Sequence, residues 1–485
     1  MKNSTELRQV VTSVLLTQIQ FGVYPCGQKL PTIEETSARL CVSIDTARAA
    51  YLKLKEEGYI TLSKNVGATV KVSYSKRETD QAIHTFFSAR KKAMVDLGNS
   101  MRPLFAKAQC LGLRHASMET LQEMERLSRD ESAAAPYAML EHLNLKYSSL
   151  GNTLLMRLVW QTFMFLLDPL FIIEENLRYF DEYADYLPKI LSLCRQQDWP
   201  ALRAAVDQSI ERLTLALTRF YEARIVTPSP EKEISFTWSS YKKSRQLCYS
   251  LAMELLISIS RGVYPVGSLL PSQKELAVQK KVSVSTVRRA LELLDSIGAI
   301  KSAKYVGTRV LPFEKATENS DFTKPTLQRR LLDMAESLQI FALSCKDVSL
   351  LTLSSLDADS VQTLCCQLKK HKQWQRGETL SYFILNLIAR HAPYQAIRTV
   401  YSELLRQLFW AYALRGMNGS QETINAIYAP YFDAMIDALE TQDFPRFSIA
   451  LEDLILHDLR GSIDSMSRLG IPGAETILIP DKSTN

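Results

Sequence analysis

Two sets of residues 240 positions apart share the types and spacing of a surface that grips phosphates and base edges. Ser43, Thr46, Arg48, Lys64 and Gly67 recur as Ser283, Thr286, Arg288, Lys304 and Gly307. An arginine can take a guanine edge in a bidentate grip, which discriminates by about 1–3 kcal/mol. A hydroxyl beside the free backbone N–H groups of a helix start suits a phosphate oxygen, and Thr32, Ser272, Thr46 and Thr286 fall where helices should start. A lysine close to a glycine, as at Lys64/Gly67 and Lys304/Gly307, puts positive charge on a tip slim enough for a minor groove. The second set adds Lys274, Ser285 and Arg289.

The elements that must position these residues are legible twice. Residues 22–70 lie over residues 262–310 without a gap, and twenty of the 49 positions are identical, so the chain carries an internal duplication. In the first copy, Leu7, Val11, Val14, Leu15 and Ile19 share one helical face. "YPCGQKLP" then forces an irregular turn. Thr32 with Glu35 three residues on has the spacing of a capping box for a short second helix. Ser43 caps a third helix running to about Glu57, with Ala47, Ala50, Tyr51 and Leu54 facing inward, and Gly58 ends it. "YITLSKNVGATVKV" reads as a hairpin. Helix, helix–turn–helix and hairpin make a winged helix-turn-helix. The second copy repeats the order, with Ser285, Arg288, Arg289 and Glu292 outward on its third helix.

With "LPT…VSIDTARAAYLKLKEEGYI…VGATV" and "LPS…VSVSTVRRALELLDSIGAI…VGTRV" in view, each copy resembles the DNA-binding domain of the GntR family of bacterial transcriptional regulators. The resemblance implies that double-stranded DNA is the partner, that the third helix enters the major groove and that the wing tip reaches the minor groove. It covers about 65 residues in each copy. Residues 1–74 hold nine Lys+Arg against six Asp+Glu, a net of +3, and residues 237–312 hold twelve against four, a net of +8. The chain as a whole is only +6, so the positive charge is gathered on the two copies. The first copy departs from the family's pattern: Glu34 stands where Arg is common, and Asp45 lies in the first turn of the reading helix. Both copies have an aliphatic residue, Ile44 or Val284, where the family usually has Arg. The second copy is therefore expected to dominate affinity.

Residues 75–230 and 313–475 show helical periodicity and little alternation, as in "PALRAAVDQSIERLTLALTRFYEA". "VTPSPEKEIS" (226–235) reads as a linker. The fold expected is mainly α: two winged helices, 1–74 and 237–312, each followed by an all-helical bundle, 75–230 and 313–475. The helical stretches resemble the all-helical effector domains of the family's fatty-acid-responsive branch, through "EHLNLKYSSLGNTLLMRLV", "LCRQQDWPALRAAV" and "ALETQDFPRFSIAL". Many such domains hold a metal on three His and an acid. Here the later positions fall near Leu187 and Ser209, so no metal and no cofactor are expected. His142, His371, His391 and His457 do not form a site by spacing, and Trp160, Trp199, Trp374 and Trp410 are expected in cores. "ARKKAM" (89–94) reads as a solvated helix face.

Composition bounds the rest. The chain has 485 residues, 46% hydrophobic and 23% charged, enough for several domains. Eight cysteines without CxxC spacing read as reduced thiols, which with the absence of a leader pattern implies a cytoplasmic protein. The apolar run 154–173 is broken by Arg157, Gln161, Asp168 and Pro169, so a buried helix is expected rather than a membrane span. An enzyme is not expected, although one branch of the resembled family fuses an aminotransferase-like domain; a second winged helix occupies that length here. Two classes of function remain open. One is a regulator, of the repressor type, released by a small-molecule effector. The other is an architectural or partner-binding DNA protein without effector. An apolar cavity with a few convergent polar groups in the helical regions favours the first, and filled cores favour the second. A single-chain pseudo-dimer and a homodimer with four winged helices also both remain open.

Overall fold

The computed structural model describes residues 4–63, 66–129, 135–180, 186–225, 233–238 and 243–481. Contacts divide the chain into two units: Met1–Arg102 with Gln109–Ser149 and Met156–Thr237, and Pro103–Ala108 with Leu150–Leu155 and Trp238–Asn485.

In the first unit, α1 (Ser4–Gln20) buries Leu7, Val11, Val14, Leu15 and Ile19, the five residues whose spacing marks its inner face. Gly22 (φ +77°) and Gly27 (φ +85°) then turn the chain through left-handed backbone that other residues adopt at a cost. This loop has a second task that the sequence does not announce. Gly27 N–H donates to the Val70 carbonyl, Leu30 N–H to that of Ala68, and Val70 N–H back to that of Gln28, so the loop lies along the wing as a third strand. Between them, α2 (Ile33–Arg39) carries the complete Thr32/Glu35 capping box. The third helix, α3 (Ile44–Glu56), is capped by Ser43 and buries Ala47, Ala50, Tyr51 and Leu54. Gly58 (φ +84°) ends it. Strands β1 (Ile60–Ser63) and β2 (Gly67–Val70) pair antiparallel from Ile60↔Val70 to Ser63↔Gly67.

The helical remainder of this unit begins with α4 (Lys76–Arg114) and continues through α5 (Met118–Arg129), α6 (Ala135–Ser148) and α7 (Thr153–Leu166). Two single turns follow, α8 (Asp168–Phe171) and α9 (Glu174–Leu177), then α10 (Tyr186–Gln196) and α11 (Trp199–Arg224). The winged helix is seated on this layer. Phe21 packs edge-on to Phe86 at 5.3 Å and stacks on Phe87 at 6.1 Å, and the Trp160 indole donates to the Leu40 carbonyl at 2.7 Å. The apolar run 154–173 is two helices rather than one, broken where Pro169 enters the first turn of α8. The 89–94 stretch is not simply solvated, because the Arg90 guanidinium lies 3.6 Å over the Phe86 ring.

In the second unit, α12 (Lys243–Ser260), α13 (Gln273–Gln279) and α14 (Val284–Ser296) repeat the three-helix order, with Ser272/Glu275 as a capping box and Ser283 as a cap. Strands β3 (Ile300–Ala303) and β4 (Gly307–Val310) form the wing, and Gly267 and Leu270 donate to it as Gly27 and Leu30 do in the first. The helical remainder is α15 (Pro325–Ser354), α16 (Ala358–Gln373), α17 (Leu380–His391), α18 (Gln395–Leu405), a 3-10 segment Arg406–Asn418, α19 (Gln421–Glu440) and α20 (Phe444–Arg468). The fold is thus mainly α, two winged helices each followed by helices. One expectation fails here. Trp374 is 42% exposed at the end of α16, while Trp160 and Trp410 are buried and Trp199 is half-buried.

Candidate nucleic-acid interface

Helix α14 buries Val287, Ala290, Leu291 and Leu294. Helical geometry therefore turns Ser285, Arg288, Arg289 and Glu292 to the opposite face, and all four are exposed. Arg288 and Arg289 make no ion pair among the described residues. The Ser283 hydroxyl accepts from the Thr286 backbone N–H at 3.1 Å and shares hydrogen bonds with the hydroxyls of Ser285 and Thr286. The helix start is thus a cluster of three hydroxyls in front of an electropositive terminus. On the wing, Lys304 and Gly307 (φ +110°) flank an aromatic residue that the motif comparison overlooks. Tyr305 is 93% exposed at left-handed φ (+64°), with the Lys304 ammonium 5.0 Å from its ring. Its counterpart in the first copy is Asn65, so the repeat gave no signal for it. Arg309 instead holds the wing together, donating to the Gly267 carbonyl at 2.6 Å.

The first copy presents a weaker version of the same surface. Arg48 is exposed, but its guanidinium donates to the Asp45 carboxylate at 3.2 Å. The acid expected to repel phosphate thus also occupies the arginine that would read a base. Thr46 is only 2% exposed and its hydroxyl is hydrogen-bonded to Ser43, so it braces the cap instead of standing on the surface. Gly67 (φ +84°) opens β2, and Lys64 lies outside the described residues.

The expectation of free donors at Thr32 and Ser272 needs correction in both copies. Thr32 N–H donates to the Glu35 carboxylate at 2.7 Å, and Ser272 N–H to that of Glu275 at 2.7 Å. The hydroxyls in return accept from Glu35 and Glu275 N–H. These hydrogen bonds, the backbone donor first, hold both carboxyls below the usual range. With the caps closed on themselves, the charge offered at that helix start differs through the exposed residue two past the cap, Glu34 in the first copy and Lys274 in the second.

Among the described residues no group of three or more His, Cys, Asp or Glu is placed to hold a metal ion, and no helix is long and apolar enough to cross a membrane.

Each unit therefore carries a winged helix-turn-helix of one layout. The family described as bacterial regulatory proteins, gntR family, matches residues 7–70 and 249–310, which are the two winged helices. An uncharacterized HTH-type transcriptional regulator, YieP of Escherichia coli (strain K12), is 38% identical over 68 residues, which are 14% of this chain and 30% of the relative's length. The solved Streptococcus agalactiae GntR shares 18% identity, covering 44% of this chain and 99% of its own, at a TM-score of 0.22. E. coli McbR/YncC shares 17%, covering 44% and 98%, at a TM-score of 0.23.

Proposed function

We propose that the chain is a DNA-binding transcriptional regulator, of the repressor type, whose two winged helices read two unequal half-sites on double-stranded DNA. The carrying observation is the contrast between Arg288, exposed and without an ion pair, and Arg48, paired with Asp45. In this reading Arg288 and Arg289 contact bases, helped by Ser285. Ser283 and Thr286 present the helix start to a phosphate, as Ser43 does more weakly in the first copy. Lys274, Lys304 and Lys64 supply backbone charge, and Gly307 and Gly67 keep the wings slim. Residues 1–74 and 237–312 are the readers, and 75–230 and 313–475 the effector or dimerisation regions.

Release by a small molecule is supported over a purely architectural role by a cavity of about 800 Å³ in the second unit. Both a single chain and a homodimer of the chain could present the readers, and no catalytic role is assigned. Selection of bound duplexes from a random pool by the full chain tests the proposal. Two dissimilar half-motifs about one helical turn apart are expected. No enrichment at low salt contradicts it.

A further inference from the structure

The second unit's cavity is walled partly by the reader itself. Met253 and Ile257 of α12 line it together with Arg261, the residue that opens the loop anchoring the second wing. The Arg261 guanidinium lies 4.2 Å over the Trp374 ring. Behind Trp374, the His371 ring is 4.8 Å away and stacks on Phe383 at 4.1 Å, 17° from parallel. Arginine, tryptophan, histidine and phenylalanine thus form one continuous run along the wall.

The polar groups of the cavity are unevenly satisfied. His371 is 3% exposed; its Nε2 pairs with the Thr379 hydroxyl at 2.8 Å, and its Nδ1 has no partner. Burial, with Arg261 nearby, pushes this imidazole down to about 4, so it is neutral at pH 7. Asp458 accepts from the Ser381 and Tyr428 hydroxyls, and burial pushes its carboxyl up. Arg376 and Arg415 are engaged with Gln421. Arg261, Arg390 and Arg468 also line the space and make no ion pair among the described residues. Three unpaired guanidinium groups beside an aromatic wall suit an organic anion with a flat apolar body.

Alignment of the repeats places Phe21 at the position of Arg261. Phe21 is buried against the rings of Phe86 and Phe87, whereas Arg261 lines a cavity. We propose that this cavity binds a flat organic anion through Arg261, Arg390 and Arg468 beside the aromatic run of Trp374 and Phe383, and that its occupancy alters the second reader, the first being fixed by Phe21. The anion acts on the loop from Gly262 to Gly267, whose last N–H holds the Val310 carbonyl of the wing. The regulatory half of this inference rests on the DNA-binding reading above; the binding half does not.

The test uses the full chain with 8-anilinonaphthalene-1-sulfonate, a flat aromatic anion, and N-phenyl-1-naphthylamine, the same rings without the charge. The anion is expected to bind more tightly than the neutral probe. It should weaken about tenfold in Arg390→Ala/Arg468→Ala, one charge-assisted contact's worth, while the neutral probe binds both proteins alike and reports that the fold is intact. Equal affinity for the two probes, or an unchanged anion affinity in the double variant, overturns the binding site. Duplex affinity is then measured with and without the anion, in the wild type and in Arg261→Phe, which installs the first copy's residue. A response in the wild type that Arg261→Phe abolishes is the expected result, and by linkage DNA shifts anion affinity by the same factor. Anion binding with no effect on duplex affinity overturns the coupling and leaves DNA binding standing. Failure to bind duplex without any probe overturns the regulator reading instead.

Discussion

At the scale of the residue, the decisive contact is an exposed ion pair that contributes little to stability. Asp45 and Arg48 are three residues apart on a helix surface, a geometry worth about 0–1 kcal/mol. On the proposed function its consequence is for DNA: the guanidinium would have to leave Asp45 before taking a guanine. Asp45→Ser, the residue type of the second copy, is expected to tighten duplex binding several-fold and to steepen the salt dependence by up to one phosphate's worth, measured by titration at several salt concentrations. A second residue-scale expectation concerns Asp168, 2% exposed, with Oδ1 lacking a partner and a carboxyl pushed by burial up to about 7. Its folded pKa lies above the unfolded value of about 3.9, so the unfolded chain gives up this proton first. The stability it contributes is full below pH 4 and is lost as pH rises toward 7. Asp168→Asn should therefore raise the urea midpoint relative to wild type by an amount that grows from pH 4 to pH 7, reaching about 1–3 kcal/mol. His142 acts with the opposite sign: burial pushes it down to about 4, so its share is lost as pH falls from 6.5 toward 4. The slopes partly cancel in the wild type, and a midpoint difference that stays constant with pH would contradict this assignment.

At the scale of the element, the periodic and capped parts were legible in the sequence. The inner face of α1, the Thr32/Glu35 and Ser272/Glu275 boxes, the glycine-ended third helices and both wings follow from local rules. What escaped depends on partners brought together by tertiary placement. The loop Gly22–Leu30 reads as a turn, yet its hydrogen bonds go to a strand about 40 residues on. Asp45 was legible as a repelling charge but not as the partner of Arg48, because rotamers decide that. Trp374 looks like core by residue type, yet it stands partly exposed at the end of α16 with the Arg261 guanidinium over its ring. The seating of the first winged helix on its helical layer was also invisible. It rests on the Trp160 indole at the Leu40 carbonyl. Within the helical layer itself, α4 and α6 approach closely at Gly112, where a Cβ would meet the Lys146 carbonyl oxygen at 2.1 Å. Gly112→Ala should cost at least 3 kcal/mol because a backbone atom cannot step aside. Trp160→Phe should cost about 1–3 kcal/mol, the penalty for an orphaned buried carbonyl. Both are read from chemical denaturation of the full chain, and a cost below 1 kcal/mol for Gly112→Ala would contradict the packing.

At the scale of the whole molecule, one chain carries two winged helices where a symmetric pair would carry two copies of one. On the proposed function, covalent linkage would make the second docking intramolecular and raise avidity without new contacts. It also removes the constraint that both readers stay alike, and the sequences have used that freedom: +3 against +8, Glu34 against Lys274, Asp45 against Ser285, Phe21 against Arg261. The direct test of unequal readers is per-position specificity on the duplex enriched by the full chain, compared among wild type, Arg48→Ala and Arg288→Ala. Arg288→Ala is expected to relax one half-motif and cost about 1–3 kcal/mol, and Arg48→Ala to blur the other at a smaller cost. Equal losses confined to the same half-motif, or full specificity surviving Arg288→Ala, would contradict the account.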